Sequence, residues 1–382
     1  MTAILAGFRE RLNDDFPILC ALVCSWVFVL LFLWRKGVAG LQWIPWTQNL
    51  KLYLFALGVI AIVMGARQLY LYRPASPFRY LARYATDPAF VIGLVGGLPM
   101  LAAMIMYIPI FSAVKTAIPL FTTYTWDPAL IAADRMMFGT DAWRVLQPVL
   151  GFPLVTSALS FAYHAWVVLL YGSGIFFCFF VQDRELRAQY FVARFLIWIV
   201  MGMIMASGFA SVGPCFVAPI TGNHHYDEQM AYLRMANTHY PVLVLPVQDQ
   251  LLAWFREGDQ NLGAGISAMP SLHVGMTALT MLAARRISRV AGACLFLYLL
   301  VILVGSVHLG YHYAIDGFVA IAATLALWLI SGSIARKITV LVKPLAAAAR
   351  PPPEYGRARW RTRLHSASLF PPQRPPVATT RR

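Results

Sequence analysis

The chain has 382 residues, of which 59% are hydrophobic and only 12% charged, with a mean hydropathy of +0.64. Soluble domains carry about a quarter charged residues, so this composition excludes an ordinary soluble fold and points to an integral membrane protein. The formal net charge is +15 and uneven, with eleven of the thirty-one Lys and Arg following Ser333 against one acid, Glu354. A basic tail of that kind suits a solvated cytoplasmic segment beside anionic lipid, and no nucleic-acid partner is expected.

A spanning helix needs about 20 mostly apolar residues. In chain order the candidate spans are Phe16–Trp34, Leu52–Tyr70, Phe90–Ser112, Pro153–Val181, Val192–Val212, Leu272–Ala284, Ala291–His308 and Ala314–Ile334. Eight such runs predict an all-α polytopic membrane protein, with the sixth short before Arg285. The first is expected to remain as a span, because a second follows quickly and no small-residue cleavage site closes it. Cys20, Cys24, Cys178 and Cys294 lie inside apolar runs and Cys215 near a loop. Without zinc spacing they read as buried small hydrophobes.

Lys and Arg in the connections set the orientation. With the N-terminus and its Arg9 and Arg11 in the cytoplasm, the cytoplasmic connections carry Arg67 to Arg83, then Arg184 and Arg187, then Arg285, Arg286 and Arg289, and finally the tail. Both termini are then cytoplasmic, and the opposite connections face outward in a bacterial-type inner or plasma membrane. Two outer segments are long enough to carry structure. In residues 115–150, Ile131, Met136 and Met137 among polar positions suggest a helix on the membrane surface, starting at Asp127-Pro128. Residues 213–268 read as a Gly/Pro-broken segment followed by a short helix.

The chemistry gathers in two short words, SAMPSLHVG around His273 and HLGYHYAIDG around His312. Each sits at the mouth of an apolar run, and a hairpin of spans returns both to one face. His312 and Asp316 are four apart, so on a helix they touch. A carboxylate on one imidazole nitrogen fixes the tautomer and frees the other nitrogen as base or nucleophile. The competing reading is a structural His–Asp pair, although ionisable groups beside spans are functional by default. His308, four before His312, also allows a metal or haem site with His273 and Asp316 as further ligands. His224-His225-Tyr226-Asp227 reads as a solvated run, and Tyr311 and Tyr313 as an interfacial belt.

The two words resemble the second and third motifs of the type 2 phosphatidic acid phosphatase superfamily, in the wording of its inositol phosphorylceramide synthase-like branch. The likeness covers the motifs specifically and residues from about Lys115 to the last span more loosely. It implies a six-helix core, with the chain divided into an N-terminal pair of spans over 1–86, a catalytic membrane domain over 87–340 and a disordered basic Pro/Arg-rich tail over 341–382. It implies His312 as the nucleophile that becomes phosphohistidine, Asp316 as its orienter and His273 as proton donor to the leaving alkoxide, with no metal or other cofactor. Ser271 and the amides after Pro270 are the implied anion site, and Lys115 stands where the first-motif lysine would be. His308 and Arg135 are further candidates for substrate binding, with Arg144 and Arg234 behind them. The sequence departs from the commoner pattern at Leu272 in place of Gly, at Ser306 in place of Arg, and in lacking an Arg-Pro after Lys115.

The implied function is cleavage of a lipid phosphoester in the membrane, with transfer of the phospho-headgroup to an alcohol somewhat favoured by the motif wording. Hydrolysis to water is the alternative. From other classes, a transporter or scramblase, or a haem-binding membrane protein, remain as readings. Oligomeric state is not legible.

Overall fold

The structure is a computed structural model that describes residues 2–37, 45–259 and 261–342. The tail expected over 341–382 lies, from 343 onward, outside the described residues. All regular structure among the described residues is helical.

Two long helices, α1 (Thr2–Arg35) and α2 (Trp46–Tyr72), precede a short α3 (Pro77–Ala85) and the long α4 (Pro88–Ala117). Asp87 caps α4 by accepting from the amides of Ala89 and Phe90, and Pro88 fits the first helical position, which has no use for an N–H. Then come α5 (Asp127–Phe138), α6 (Ala142–Leu150), α7 (Pro153–His164) and α8 (Trp166–Phe179). The next span starts as α9 (Arg184–Leu196), widens into a π-helical stretch over Ile197–Met205 and ends as α10 (Ala206–Gly208). Three short helices follow, α11 (Pro214–Thr221), α12 (Asp227–His239) and α13 (Val244–Glu257), and then α14 (Leu272–Ile287), α15 (Arg289–His308) and α16 (Ala314–Leu341).

Seven of these helical stretches are long and apolar enough to cross a membrane. They match seven of the eight expected spans, with the fourth broken at Ala165 between α7 and α8. The eighth, α14, has only 16 residues. Its packing explains how so short a helix serves. Val274 through Thr280 are all buried, and α15, α16, α8 and α9 surround it, so it needs no lipid-facing surface of its own.

The hairpin α14–α15 turns at Ser288, which brings His273 and His308 together at the other end. The opposite end of the bundle is tied by charges. Arg187 forms a buried ion pair with Asp15, and Arg184 pairs with Asp14 while also donating to the carbonyl of Val342. The first half of α1, the start of α9 and the end of α16 therefore meet at one end, and the histidine words lie at the other.

Over the histidine end sits a cap of α5, α6 and α11–α13. It has a hydrophobic core of its own, in which Leu130, Ile131, Trp143, Phe216 and Tyr226 pack against Val307, Tyr313 and Ala314. Three expectations change here. Ile131 is buried in this core while Met136 is 86% exposed, so α5 packs by its Asp/Leu/Ile face and not by the methionines. Tyr311 and Tyr313 are not an interfacial belt. Tyr313 is buried with its hydroxyl donating to Asp127 at 2.8 Å, and Tyr311 stacks on Tyr163. Nor are all the cysteines buried, since Cys20, Cys24 and Cys294 lie exposed on spanning helices.

Candidate active site

Ser271 starts α14 as its N-cap, with its hydroxyl facing the amide of Val274 at 3.5 Å. Its own amide donates to the backbone carbonyl of Asp316 at 3.3 Å, and the residue is fully buried. Ser271 therefore joins the two histidine words and offers no open hydroxyl. The next two amides, of Leu272 and His273, lie in the unsatisfied first turn and have no acceptor among the described residues.

His312 follows a turn at the end of α15. The amides of Tyr311 and His312 both donate to the carbonyl of Ser306, at 3.0 and 3.1 Å. Ser306, where the commoner motif has Arg, is a buried backbone anchor for this turn. Further donors hold the last carbonyls of α15. Gln229 on α12 reaches Val307 at 2.8 Å and His308 at 3.2 Å, Gln248 on α13 reaches Leu309 at 2.9 Å, and Cys215 donates its amide to Gly310 at 2.8 Å. Gly213 passes beneath with φ +87, where an added Cβ would lie 2.5 Å from the carbonyl oxygen of Tyr311.

His312 Nδ1 lies 3.2 Å from Asp316 Oδ2, which also accepts the Tyr313 amide at 3.1 Å. Asp316 is wholly buried, whereas His312 keeps 6% of its surface. With the carboxylate accepting from Nδ1, the proton sits there and Nε2 presents its lone pair. No hydrogen bond occupies Nε2 among the described residues.

His273 stands in an aromatic stack. Its ring lies 4.6 Å from Tyr163 at 20° and 4.0 Å from Trp166, while Tyr311 stacks on the far side of Tyr163 at 5.3 Å. Trp166 also donates its indole N–H to the His273 carbonyl at 3.1 Å. Ring and backbone are thus both fixed, and the imidazole nitrogens make no hydrogen bond among the described residues. His312, Lys115 and His164 are the charged or chargeable neighbours close enough to act on it.

The remaining candidates separate. Lys115, at the end of α4, is half-buried and forms no ion pair or hydrogen bond among the described residues. His308 turns toward α7, with Nε2 2.9 Å from Thr156 Oγ1 and its ring against Tyr232. Arg135 is exposed on α5, with Tyr226 in its electrostatic reach. Arg144 is occupied by Glu228 at 2.6 Å and Asp141 at 3.4 Å. His225 pairs with Asp141 and Tyr226 is buried, which ties the middle of that run into the cap, while His224 pairs locally with Asp227 and both stay exposed, as the solvated reading expected. Among the described residues no three His, Cys, Asp or Glu side chains gather as metal ligands.

A family model described as the PAP2 superfamily matches residues 128–330, more than half of the chain. The chain belongs to the PAP2 superfamily. No curated protein and no solved structure matches it. The PAP2 match opens on α5 and closes within α16, so it encloses both histidine words and the whole cap, and leaves α1 to α4 outside.

Two acids of α5, of which the sequence marked Asp127 only as a helix start, hold the backbone that follows His312. Asp127 accepts from the amides of Val212 and Gly213 at 3.0–3.1 Å and from the Tyr313 hydroxyl. Asp134 accepts from the amides of Ala314 and Ile315 at 2.8 and 3.0 Å, capping α16 from a different helix. The available signal was their spacing: seven residues apart, with Leu130 and Ile131 between, they share the buried face of α5. His164 was also passed over, although a histidine inside an apolar run invites attention.

Replacing Asp127 with Ala strands two backbone donors and one hydroxyl in a dry site, each a cost of about 1–3 kcal/mol when unmet. Thermal unfolding of purified Asp127→Ala should show a clear loss of stability. Asp127→Asn, which keeps one acceptor oxygen, should lie between it and the parent. Equal stability of all three would mean that Asp127 does not hold this turn.

Proposed function

We propose that this PAP2 protein cleaves a phosphoester of a membrane lipid through a covalent phosphohistidine at His312. The observation that carries the reading is the buried Asp316 on Nδ1 of His312, with Nε2 free and His273 fixed nearby. In the first step Nε2 attacks phosphorus, the bond from phosphorus to the lipid alkoxide breaks, and His273 gives that oxygen its proton. In the second, an acceptor hydroxyl attacks the same phosphorus, His273 takes the acceptor's proton, and the bond from Nε2 to phosphorus breaks. The imidazolium character that develops on His312 is stabilised by Asp316.

Developing charge on the phosphoryl oxygens needs donors in place beforehand. The free amides of Leu272 and His273 at the α14 N-terminus supply two, and the unpaired Lys115 supplies a positive charge. This assigns the anion site to the backbone after Ser271 instead of the Ser271 hydroxyl. His308 and Arg135 are left with no role in phosphate binding, His308 as a support of the turn through Thr156.

Between transfer and hydrolysis we favour transfer of the phospho-headgroup to an alcohol, as in the inositol phosphorylceramide synthase-like branch whose motif wording the chain resembles. The supporting observation is the pair of rings, Tyr163 and Trp166, against His273, with Tyr311 stacked on Tyr163, which limits the approach of bulk water to the group that would activate the acceptor. Purified protein incubated with labelled phospholipids, with and without inositol or diacylglycerol, tests the reading directly. A labelled product that forms only with the alcohol supports transfer, and release of phosphate without one supports hydrolysis.

Because side chains provide nucleophile, orienter and proton donor, we propose a reaction that needs no metal. Activity should survive a chelator and fall with vanadate, which resembles five-coordinate phosphorus. Activity lost in chelator and restored by one divalent ion would overturn that assignment.

We also propose that the histidine end faces away from the cytoplasm, as the Lys and Arg alternation requires. A membrane-impermeant thiol reagent should label cysteines placed at Thr122 and Asn261 in intact cells and spare one at Arg286. Labelling at Arg286 would reverse the orientation.

A further inference from the structure

Between α11, α12 and α13 the cap opens into a cavity of about 550 Å³. Its polar wall includes Arg234, Arg256, Gln248, Asp249 and the paired His224 and Asp227, and its apolar floor includes Phe216 and Leu252. Neither His273 nor His312 lines it. The two are nonetheless close, because Cys215 and Met230 of the cavity wall lie against Gly310, where an added Cβ would sit 3.3 Å from Met230 Sδ.

Two features make this cavity more than a crevice. Arg234 and Arg256 form no ion pair or hydrogen bond among the described residues, unlike Arg144 of the same cap, which is fully engaged. Gln248 is buried in the wall, with its Nε2 donating to the Leu309 carbonyl and its Oε1 shut off from the cavity and without a donor among the described residues. Asp249 is exposed on the same wall and likewise makes no ion pair among the described residues.

We propose that this cavity is a second ligand site, separate from the histidines, for a hydroxylated phosphate ester. The two guanidinium groups take the phosphate oxygens, and the Asp249 carboxylate accepts from a ligand hydroxyl. Two unpaired arginines beside the carboxylates of Asp249 and Asp227 favour such a ligand over a bare anion, which the carboxylates repel, and over a neutral polyol, which leaves both arginines unused. The phosphate ester can come from solution or from the headgroup of a neighbouring lipid.

The test uses the full chain in nanodiscs, with glycerol 3-phosphate as the soluble probe and phosphatidylglycerol against phosphatidylcholine as the lipid probe. Saturable binding of glycerol 3-phosphate in phosphatidylcholine discs identifies a soluble ligand. Selective retention of phosphatidylglycerol without soluble binding identifies a headgroup. In either case Arg234→Ala and Arg256→Ala should each weaken binding about tenfold, the scale of one charge-assisted contact at an exposed site. His312→Ala should bind as the parent does. Both arginines are exposed, so their variants should unfold at the parent temperature, which separates lost binding from lost structure. Absence of binding to both probes, or binding indifferent to both arginines, overturns the proposal. Binding lost in His312→Ala also overturns it, since the probe would then occupy the histidine site.

Discussion

His312→Ala should abolish both turnover and any acid-labile phosphoenzyme, while His273→Ala should stop turnover in a way that a better leaving group repairs. The difference follows from what each imidazole does. Without His312 no atom forms the bond to phosphorus. Without His273 that bond can form, but an ordinary lipid alkoxide cannot depart unprotonated near neutral pH. An activated ester with a low-pKa phenol needs little protonation, so part of the first step should return in His273→Ala and none in His312→Ala. Asp316→Asn keeps the shape but must present its one oxygen to both the His312 Nδ1–H and the Tyr313 amide. Its NH2 group then occupies the place of Asp316 Oδ1, a buried atom without a partner. In the serine protease triad the matching change costs about 10⁴-fold, and because Asp316 is wholly buried a loss of about 10³- to 10⁴-fold is expected. A pulse of labelled substrate, an alkaline quench and a gel for each variant reads all three. If His312→Ala traps label and His273→Ala does not, the roles are reversed.

Much of this was legible in the chain because the physics is local. A run of about 20 apolar residues marks a span whatever lies around it. A His and an Asp four apart also stay near each other, although the contact forms across the start of α16, with His312 in the turn before the helix, and not along one helix face as the spacing suggested. Local reasoning failed where partners are distant. Asp127 serves Tyr313 across 186 positions, and Asp134 caps α16 across 180, so nothing near either residue announces the contact. Tyr311 and Tyr313 looked interfacial only because the cap that buries them was not visible in their own neighbourhood. The same holds for α14. Its threonines and short length weaken it as a span by composition, and only the ring of helices around it shows why neither matters. Ser271 shows a subtler limit. The motif places a hydroxyl beside a helix start, but the bond from its amide to the Asp316 carbonyl decides that the residue clamps the two words together.

The largest stability effect is expected far from the histidines, at Asp15. Arg187 and Asp15 are 3% and 2% exposed, with a second contact at 2.7 Å between Nη2 and Oδ2, and Arg187 Nε also donates to the Phe177 carbonyl at 3.2 Å. Asp15→Ala leaves the guanidinium buried with that carbonyl and the face of Phe191 as its contacts, and removing one member of a buried ion pair costs about 3–5 kcal/mol. Replacing both members, as in Asp15→Leu with Arg187→Met, removes the stranded charge together with its partner and should recover most of that loss. The neighbouring pair supplies an internal control. Arg184 and Asp14 are 32% and 15% exposed, so water compensates the loss of Asp14, and Asp14→Ala should cost about 1 kcal/mol or less. Thermal unfolding of the four proteins in one detergent should therefore order them parent, Asp14→Ala, the double variant close to it, and Asp15→Ala well below. Since the pair sits at the end of the bundle opposite His312, the rate per folded molecule should hardly change. Equal losses for Asp14→Ala and Asp15→Ala would show that burial does not set the strength of the contact between α1 and α9. A double variant no better than Asp15→Ala would show that the loss comes from shape instead of stranded charge.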